Sequence, residues 1–444
     1  MPDSTEANHE DYNRVLFHAL EDFANDERWE DRPIRVPPGV RSWSEGPPAR
    51  GLTLSYYEDW QLAPNFGRGL QKSNLAQLVL RDHGYERAER FAEGTWSIWW
   101  CSGDVQPADL ASLHSWQRVN KFPGATALTS KLQLWRHFAA MQQMHGRAAF
   151  NYVPDTYILP ESLAAFETQL TEGGPDEVWI LKPDNETGRL RASSNGSGIF
   201  LHRAPSNPLS RASGEGGEST VLNAAVWQHR GVACRYIERP LLIDGRKSDV
   251  RLYVLVTSFH PLVAYLYEEG LGRFASVPYD ANGALEERTM HLTNYSLNKH
   301  ASGFEIGDDA ASGGTSGCKW SLRAYKRRLR EMLGTDDARR VWRSVDEVIV
   351  KTLISVEVPI SKALEVHLPA CSRGEHNRQC FHLFGFDVLI DATLKPWLLE
   401  VLTYLLTYLL TATLMDMYTY ILTYLPTYLL TATLMDTDSD LYQL

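Results

Sequence analysis

Residues 234–258 read C-R-Y-I-E-R-P-L-L-I-D-G-R-K-S-D-V-R-L-Y-V-L-V-T-S. The apolar run 252–256, bounded by a charged cluster and by Thr257 and Ser258, predicts a buried strand that opens with Lys247, Asp249 and Arg251 close together. Cations at the mouth of a buried strand can neutralise phosphate oxygens, because an Arg fork binds them in pairs and a Lys acts as a mobile point charge. The same cluster also reads as a solvated charged face ahead of an ordinary strand.

Three further blocks bear on that choice: Y-L-Y-E-E-G-L-G-R-F-A at 265–275, M-H-L-T-N-Y-S-L-N-K at 290–299 and F-G-F-D-V-L-I-D-A-T-L-K-P-W-L-L-E-V at 384–401. In this order the four blocks resemble the tubulin tyrosine ligase-like family over about residues 66–401, closest to its glutamate-adding members. The resemblance implies an α/β chain in which an ATP-grasp C-terminal domain closes on a central α/β domain behind a small N-terminal domain. The implied boundaries are 1–64 for an extension or linker, 65–120 for the small domain, 121–233 for the central domain and 234–401 for the ATP-grasp domain. A Leu/Thr/Tyr-rich tail then occupies 402–444.

The bulk properties agree with a soluble chain of two or three domains: 444 residues, 43% apolar and 22% charged. A net charge of −11 argues against general affinity for nucleic acid or acidic membranes. The first 30 residues carry Glu6, Glu10, Asp11, Glu21 and Asp22 and no secretory pattern, so a cytosolic chain is expected. The five cysteines, Cys101, Cys234, Cys318, Cys371 and Cys380, are scattered and form no C-x-x-C pair, so reduced structural thiols are expected, with no zinc site and no disulfides.

Before the opening stretch, Trp96, Trp99, Trp100 and Trp116 read as core, since no basic stripe interleaves them. Leu134, Trp135, Phe138 and Met141 predict a helix that Gly146 ends. The strand V-W-I-L-K-P brings Lys182 to its end, and Gly196 and Gly198 follow in a loop that reads either as a plain turn or as a phosphate cradle. In the family that lysine and that loop hold nucleotide. Here the loop is about seven residues longer than the family's usual spacing, and Asn195 stands where Arg is common.

The resemblance further implies that Arg235, Tyr236 and Ile237 line an adenine pocket, and that Lys247, Asp249, Thr293 and Asn294 contact nucleotide. Lys182, Lys247 and Arg251 would stabilise the transferring phosphoryl group, while Arg273, Tyr295, Ser296 and Lys319 would hold the incoming amino acid. Arg273 alone also reads as a surface ion pair. Ser248 replaces a common Phe, which predicts looser packing behind the site. Nine basic residues against three acidic ones between 319 and 343 suit an acidic tubulin tail or, equally, a solvated helix face, and Val341, Val345, Val348, Ile349 and Leu353 mark the buried side of a following helix.

Asp387 and Glu400 are expected at strand ends, where carboxylates suit magnesium. In the family an Asn two residues after the Glu completes that metal site; here Leu402 stands there and offers no lone pair. The tail repeats T-Y-L-L-T-A-T-L-M-D twice, twenty residues apart. Its uncharged runs of 15 and 19 residues, one holding Pro426, are short for a membrane span. An aggregation-prone β segment is a second reading, and translated simple-repeat sequence from a misread or truncated gene model is the preferred one. The implied activity is ATP- and Mg2+-dependent ligation of free glutamate to glutamate side chains of tubulin on cytoplasmic microtubules, the ciliary basal body and axoneme included. Two alternatives stand beside it: a catalytically inactive microtubule-binding relative, and a tubulin glycine ligase.

Overall fold

A computed structural model describes residues 55–58, 86–87, 96–101, 105–114, 117–173, 177–184, 199–203, 230–281, 283, 285–298, 301 and 317–403. The glycine loop with Gly196 and Gly198, Trp116 and the repeat tail from residue 404 lie outside them.

The first sheet is parallel, in the order β2-β1-β3-β4, from β1 (Ser55–Glu58), β2 (Glu86–Arg87), β3 (Ile98–Trp100) and β4 (Arg118–Val119). Trp96, Trp99, Cys101 and Val119 form its small core, so these tryptophans are packing residues as their surroundings predict. β1 lies within the stretch read as an extension, so this sheet begins before the expected boundary at 65. Backbone bonds Val119 N–H to Gln379 O (2.8 Å) and Phe381 N–H to Val119 O (3.0 Å) tie the sheet to the far end of the chain.

The second sheet is antiparallel, in the order β5-β8-β6-β7, from β5 (Thr156–Leu159), β6 (Val178–Pro183), β7 (Phe200–Arg203) and β8 (Gly231–Arg235). The helix before it, α1 (Lys131–His145), starts where the Ser130 hydroxyl caps Gln133 N–H and stops at Gly146, whose φ of +86° a glycine takes without strain. α2 (Leu163–Glu172) covers the sheet through Phe166 and Leu170, packed on Trp179 and Leu181. The boundary expected at 234 cuts through β8, because Cys234 pairs with Thr156 on β5 and Ile180 on β6.

The third sheet carries the opening stretch. β9 (Leu242–Ile243) pairs with β10 (Arg246–Phe259), which runs between β11 (Leu262–Phe274) and β13 (His382–Ile390); β12 (Lys319–Ser321) and β14 (Pro396–Thr403) flank them. Nearly every residue of β10 and all nine of β13 are buried, which is why they read as continuous apolar runs instead of alternating ones. The helices α3 (Leu322–Leu333), α4 (Thr335–Ile354) and α5 (Glu357–His367) follow β12, and Val341, Val345, Val348, Ile349 and Leu353 of α4 are buried, as their spacing predicts. The basic run therefore does not sit on one helix: Lys319 is on β12, and Gly334 (φ +83°) separates α3 from α4. One apolar core joins α1, the third sheet and these helices, so the parts read as central and C-terminal domains share their interior. All five cysteines are buried free thiols. Among the described residues no helix is long and apolar enough to cross a membrane.

Candidate active site

The second and third sheets face each other across a cleft of about 700 Å³, its open mouth included. β6 contributes Ile180 and Lys182; the end of β8 and the chain after it contribute Cys234, Arg235, Tyr236 and Ile237. From β10 come Lys247 and Asp249, from β11 Arg273, from β13 Asp387 and Leu389, and from β14 Leu399 and Glu400. Residues 291–294 close one side with His291, Leu292, Thr293 and Asn294. Eleven residues singled out from the sequence thus meet here: Lys182, Arg235, Tyr236, Ile237, Lys247, Asp249, Arg273, Thr293, Asn294, Asp387 and Glu400.

A buried charge network lies at the back. Arg251 grips Asp387 with Nε and, at 2.9 Å, with Nη2. Arg273 joins Asp249 (Nε to Oδ1, 2.6 Å) to Asp387 (Nη2 to Oδ2, 2.8 Å), and the Thr293 hydroxyl donates to the other oxygen of Asp249. Two cations and two carboxylates cancel, which is what permits their burial. Burial alone pushes the Asp387 carboxyl up, but the two guanidiniums outweigh it and hold the group well below the usual range. Register makes the network possible, since Arg251 and Asp387 are paired across β10 and β13, and Asp249 and Arg273 across β10 and β11.

The lysines differ in surroundings. Lys182 Nζ donates to Leu399 O at 3.1 Å. Lys247 Nζ donates to Tyr236 Oη at 2.9 Å and stands 4.1 Å from that ring's centroid. Burial pulls Lys247 down to about 7, Asp249 opposing this and Lys182 adding to it. Lys319, paired in register with Arg273, is drawn down to about 8 by burial and then by that arginine.

Several expectations need correction. Asp387 and Glu400 do not end strands: each lies inside one, facing the other in register, with a bulge beside Asp387. Apolar residues flank both positions, and Asp387 is tolerated in mid-strand because the arginines satisfy it. Arg251, expected at the phosphates, binds Asp387 and is not among the residues lining the cleft. Ser248 does not loosen the packing: it is 1% exposed and its hydroxyl lies 3.1 Å from Tyr325 Oη, whose ring occupies the space behind it. Tyr295 and Ser296 begin a helical turn (Tyr295–Asn298), and their side chains lie outside the described residues.

Other groups at the site have no role that the sequence marks: His291 lines the cleft, and Lys131 lies beside it against Glu400. Lys131, at the start of α1, forms an ion pair with Glu400 at 3.2 Å, a contact between distant parts of the chain that no local pattern marks. His291 meets Tyr236 Oη through Nδ1 at 3.0 Å; it stands immediately before the Leu-Thr-Asn of a block already noted, so its proximity was legible and its role was not. Ile180, Leu389 and Leu399 give the cleft apolar walls.

An α/β chain that opens a cleft lined with lysines, arginines and carboxylates between two antiparallel sheets has the layout of the ATP-grasp-like class. The Tubulin-tyrosine ligase family matches residues 109–404, and the chain belongs to that family. Over 331 residues it is 40% identical to Tubulin polyglutamylase TTLL5 of Homo sapiens, covering 74% of this chain and 23% of that protein. It is 33% identical over 344 residues to Tubulin polyglutamylase ttll-5 of Caenorhabditis elegans (74% and 42%). Against Tubulin monoglutamylase TTLL4 of Homo sapiens the identity is 34% over 299 residues (67% and 22%). The chain thus spans less than half the length of each of these relatives.

Proposed function

We propose that this chain is an ATP-dependent ligase that joins free glutamate to glutamate side chains in the acidic tails of tubulin, acting on microtubules of the cytoplasm and cilium. The observation that carries the reading is that Lys182, Lys247, Arg273, Asp387 and Glu400, far apart in the chain, line one cleft. The names of the relatives support the substrate class.

In the proposed reaction a tail carboxylate oxygen attacks the γ-phosphorus of ATP and ADP leaves. The amine of free glutamate then attacks the acyl-phosphate carbon, and phosphate departs with the new amide formed. Lys182 and Lys247 offset charge on the phosphoryl oxygens during the first step. Arg273 and Lys319, neighbours across β11 and β12, would bind the carboxylate of the incoming amino acid, a role in which Tyr295 and Ser296 are also proposed. Arg251 acts one step back, fixing Asp387. The segment Arg235 to Ile237, with Thr293 and Asn294, borders the nucleotide, and Gly196 and Gly198 belong to its phosphate loop.

Magnesium fits the donor set in kind, because it takes one or two carboxylates with phosphate and water oxygens, and Asp387 and Glu400 face each other in register. Among the described residues no cluster of three or more His, Cys, Asp or Glu side chains is placed to hold a metal. When bound, the ion neutralises phosphate charge. Asp387 and Glu400 would hold it; here Glu400 is ion-paired with Lys131, and Asp387 with Arg251 and Arg273.

A second reading, an inactive microtubule-binding relative, is favoured by Leu402, which extends the strand two residues beyond Glu400 with a hydrocarbon in place of an oxygen donor. Incubating the chain with ATP, magnesium, microtubules and labelled glutamate or glycine tests both. Glutamate incorporation is the expected result; glycine incorporation alone identifies a glycine ligase. No incorporation, together with salt-sensitive pelleting on microtubules, selects the inactive relative.

A further inference from the structure

Tyr236 sits between a lysine and a histidine. Lys247 Nζ donates to Tyr236 Oη at 2.9 Å, and His291 Nδ1 lies 3.0 Å from the same oxygen. His291 is 3% exposed, and its ring meets those of Tyr236 and Tyr279 edge-on, with centroids 5.7 and 5.9 Å away. Tyr279 is itself anchored by donating to Glu238 O at 2.7 Å. An ammonium has donors only, so Tyr236 Oη accepts from Lys247 and its own proton needs another acceptor. Nδ1 of a neutral imidazole is such an acceptor, beside the Tyr279 hydroxyl that also bonds Tyr236, and nothing in the reaction proposed above uses it.

We infer that His291 is a positioning residue for nucleotide binding: it fixes the Tyr236 hydroxyl so that its oxygen and ring together hold the Lys247 ammonium in the cleft. The inference rests on the nucleotide reading of that cleft. A lysine has a long flexible stem, and a fixed acceptor confines it before phosphate arrives. The acceptor also favours the charged form, which matters because burial brings Lys247 down to about 7. Asp249 on its own strand, Lys182 on β6, Cys234 and Arg235 on β8, Arg273 on β11, Asp387 on β13, Glu400 on β14 and the phenol and imidazole described here are the ionisable groups lining that cleft with it.

The test is titration calorimetry of the full chain with ATP and magnesium chloride across a pH series bracketing about 7. Tyr236→Phe and His291→Ala each weaken binding by about tenfold, and the double variant is no weaker than the weaker single. His291→Asn, which places an amide near Nδ1, retains most of the affinity. Wild-type affinity declines as pH rises through about 7, and in Tyr236→Phe that decline moves to lower pH. A purely structural role would lower thermal stability without moving the pH midpoint. If His291→Ala does not fold, Tyr236→Phe and His291→Asn carry the same comparison. Folded variants that bind ATP like the wild type, with an unmoved midpoint, overturn the inference and leave the nucleotide reading standing. A wild-type chain that does not bind ATP overturns both.

Discussion

Asp387 is the residue on which the buried charge balance turns. Removing it leaves Arg251 without its carboxylate and Arg273 with Asp249 alone. Asp387→Ala is therefore expected to cost roughly 3–5 kcal/mol in denaturant unfolding. The pH dependence has a definite sign. The folded carboxyl is held below its unfolded value, so its contribution is present above the unfolded carboxylate range and is lost as pH falls through the folded value. Asp346 has the opposite sign: burial raises it to about 7, Lys326 only partly opposing, so stability is lost as pH rises from the ordinary carboxylate range toward 7. Asp346→Asn should leave stability unchanged in acid and raise it by about 1–2 kcal/mol above pH 7, allowing for its partial exposure, as thermal melts at both pH values would record. Leu402→Asn restores an oxygen beside Glu400, and about tenfold tighter magnesium-dependent ATP binding is expected if the hydrocarbon there is what weakens the site.

Among the elements, β11 shows how a glycine in a strand earns its place. A Cβ on Gly272 would lie 2.6 Å from Cδ2 of Tyr325, a ring already fixed at its far end by Ser248. Gly272→Ala should cost about 1–3 kcal/mol and, by displacing Arg273 next along the strand, weaken glutamate use more than ATP binding; unchanged stability would refute this packing account. The block E-E-G-L-G-R-F was legible as a family motif, but the reason for its second glycine needed the helix that lands on it. Legibility followed the range of the interaction. The apolar face of α4 could be read from its spacing, and β6 from its own apolar run, because both patterns are local. The domain boundary expected at 234 falls inside β8 because the partners of that strand, β5 and β6, lie far back in the chain. The ion pairs of Asp387 and of Glu400 were invisible for the same reason: they depend on strand register and on where α1 begins.

At the scale of the whole molecule, the proposed function asks a chain of net charge −11 to approach an acidic tail, and only an uneven distribution of charge allows it. The basic run between 319 and 343 divides once folded. Arg328 bonds Asp244 and Glu331, Arg339 and Arg340 reach Asp336 and Asp337, and Lys326 stands 4.8 Å from the centroid of Trp342. Arg323, Arg327 and Arg330 are exposed on α3, and their spacing puts them on one face of the helix that follows β12, the strand carrying Lys319 next to Arg273. An exposed basic stripe on the helix that follows β12 is suited to steer an acidic tail. Changing the three arginines to glutamate should weaken pelleting on microtubules by about tenfold at low salt, since each exposed pair contributes only a few tenths of a kcal/mol to about 1 kcal/mol. The difference should vanish in high salt, where such charges are screened, and on microtubules stripped of their tails. ATP binding and thermal stability should hold, because the substitutions touch neither core nor cleft. Equal pelleting by the triple variant and the wild type at low salt would place the acceptor on another face and leave α3 a solvated helix.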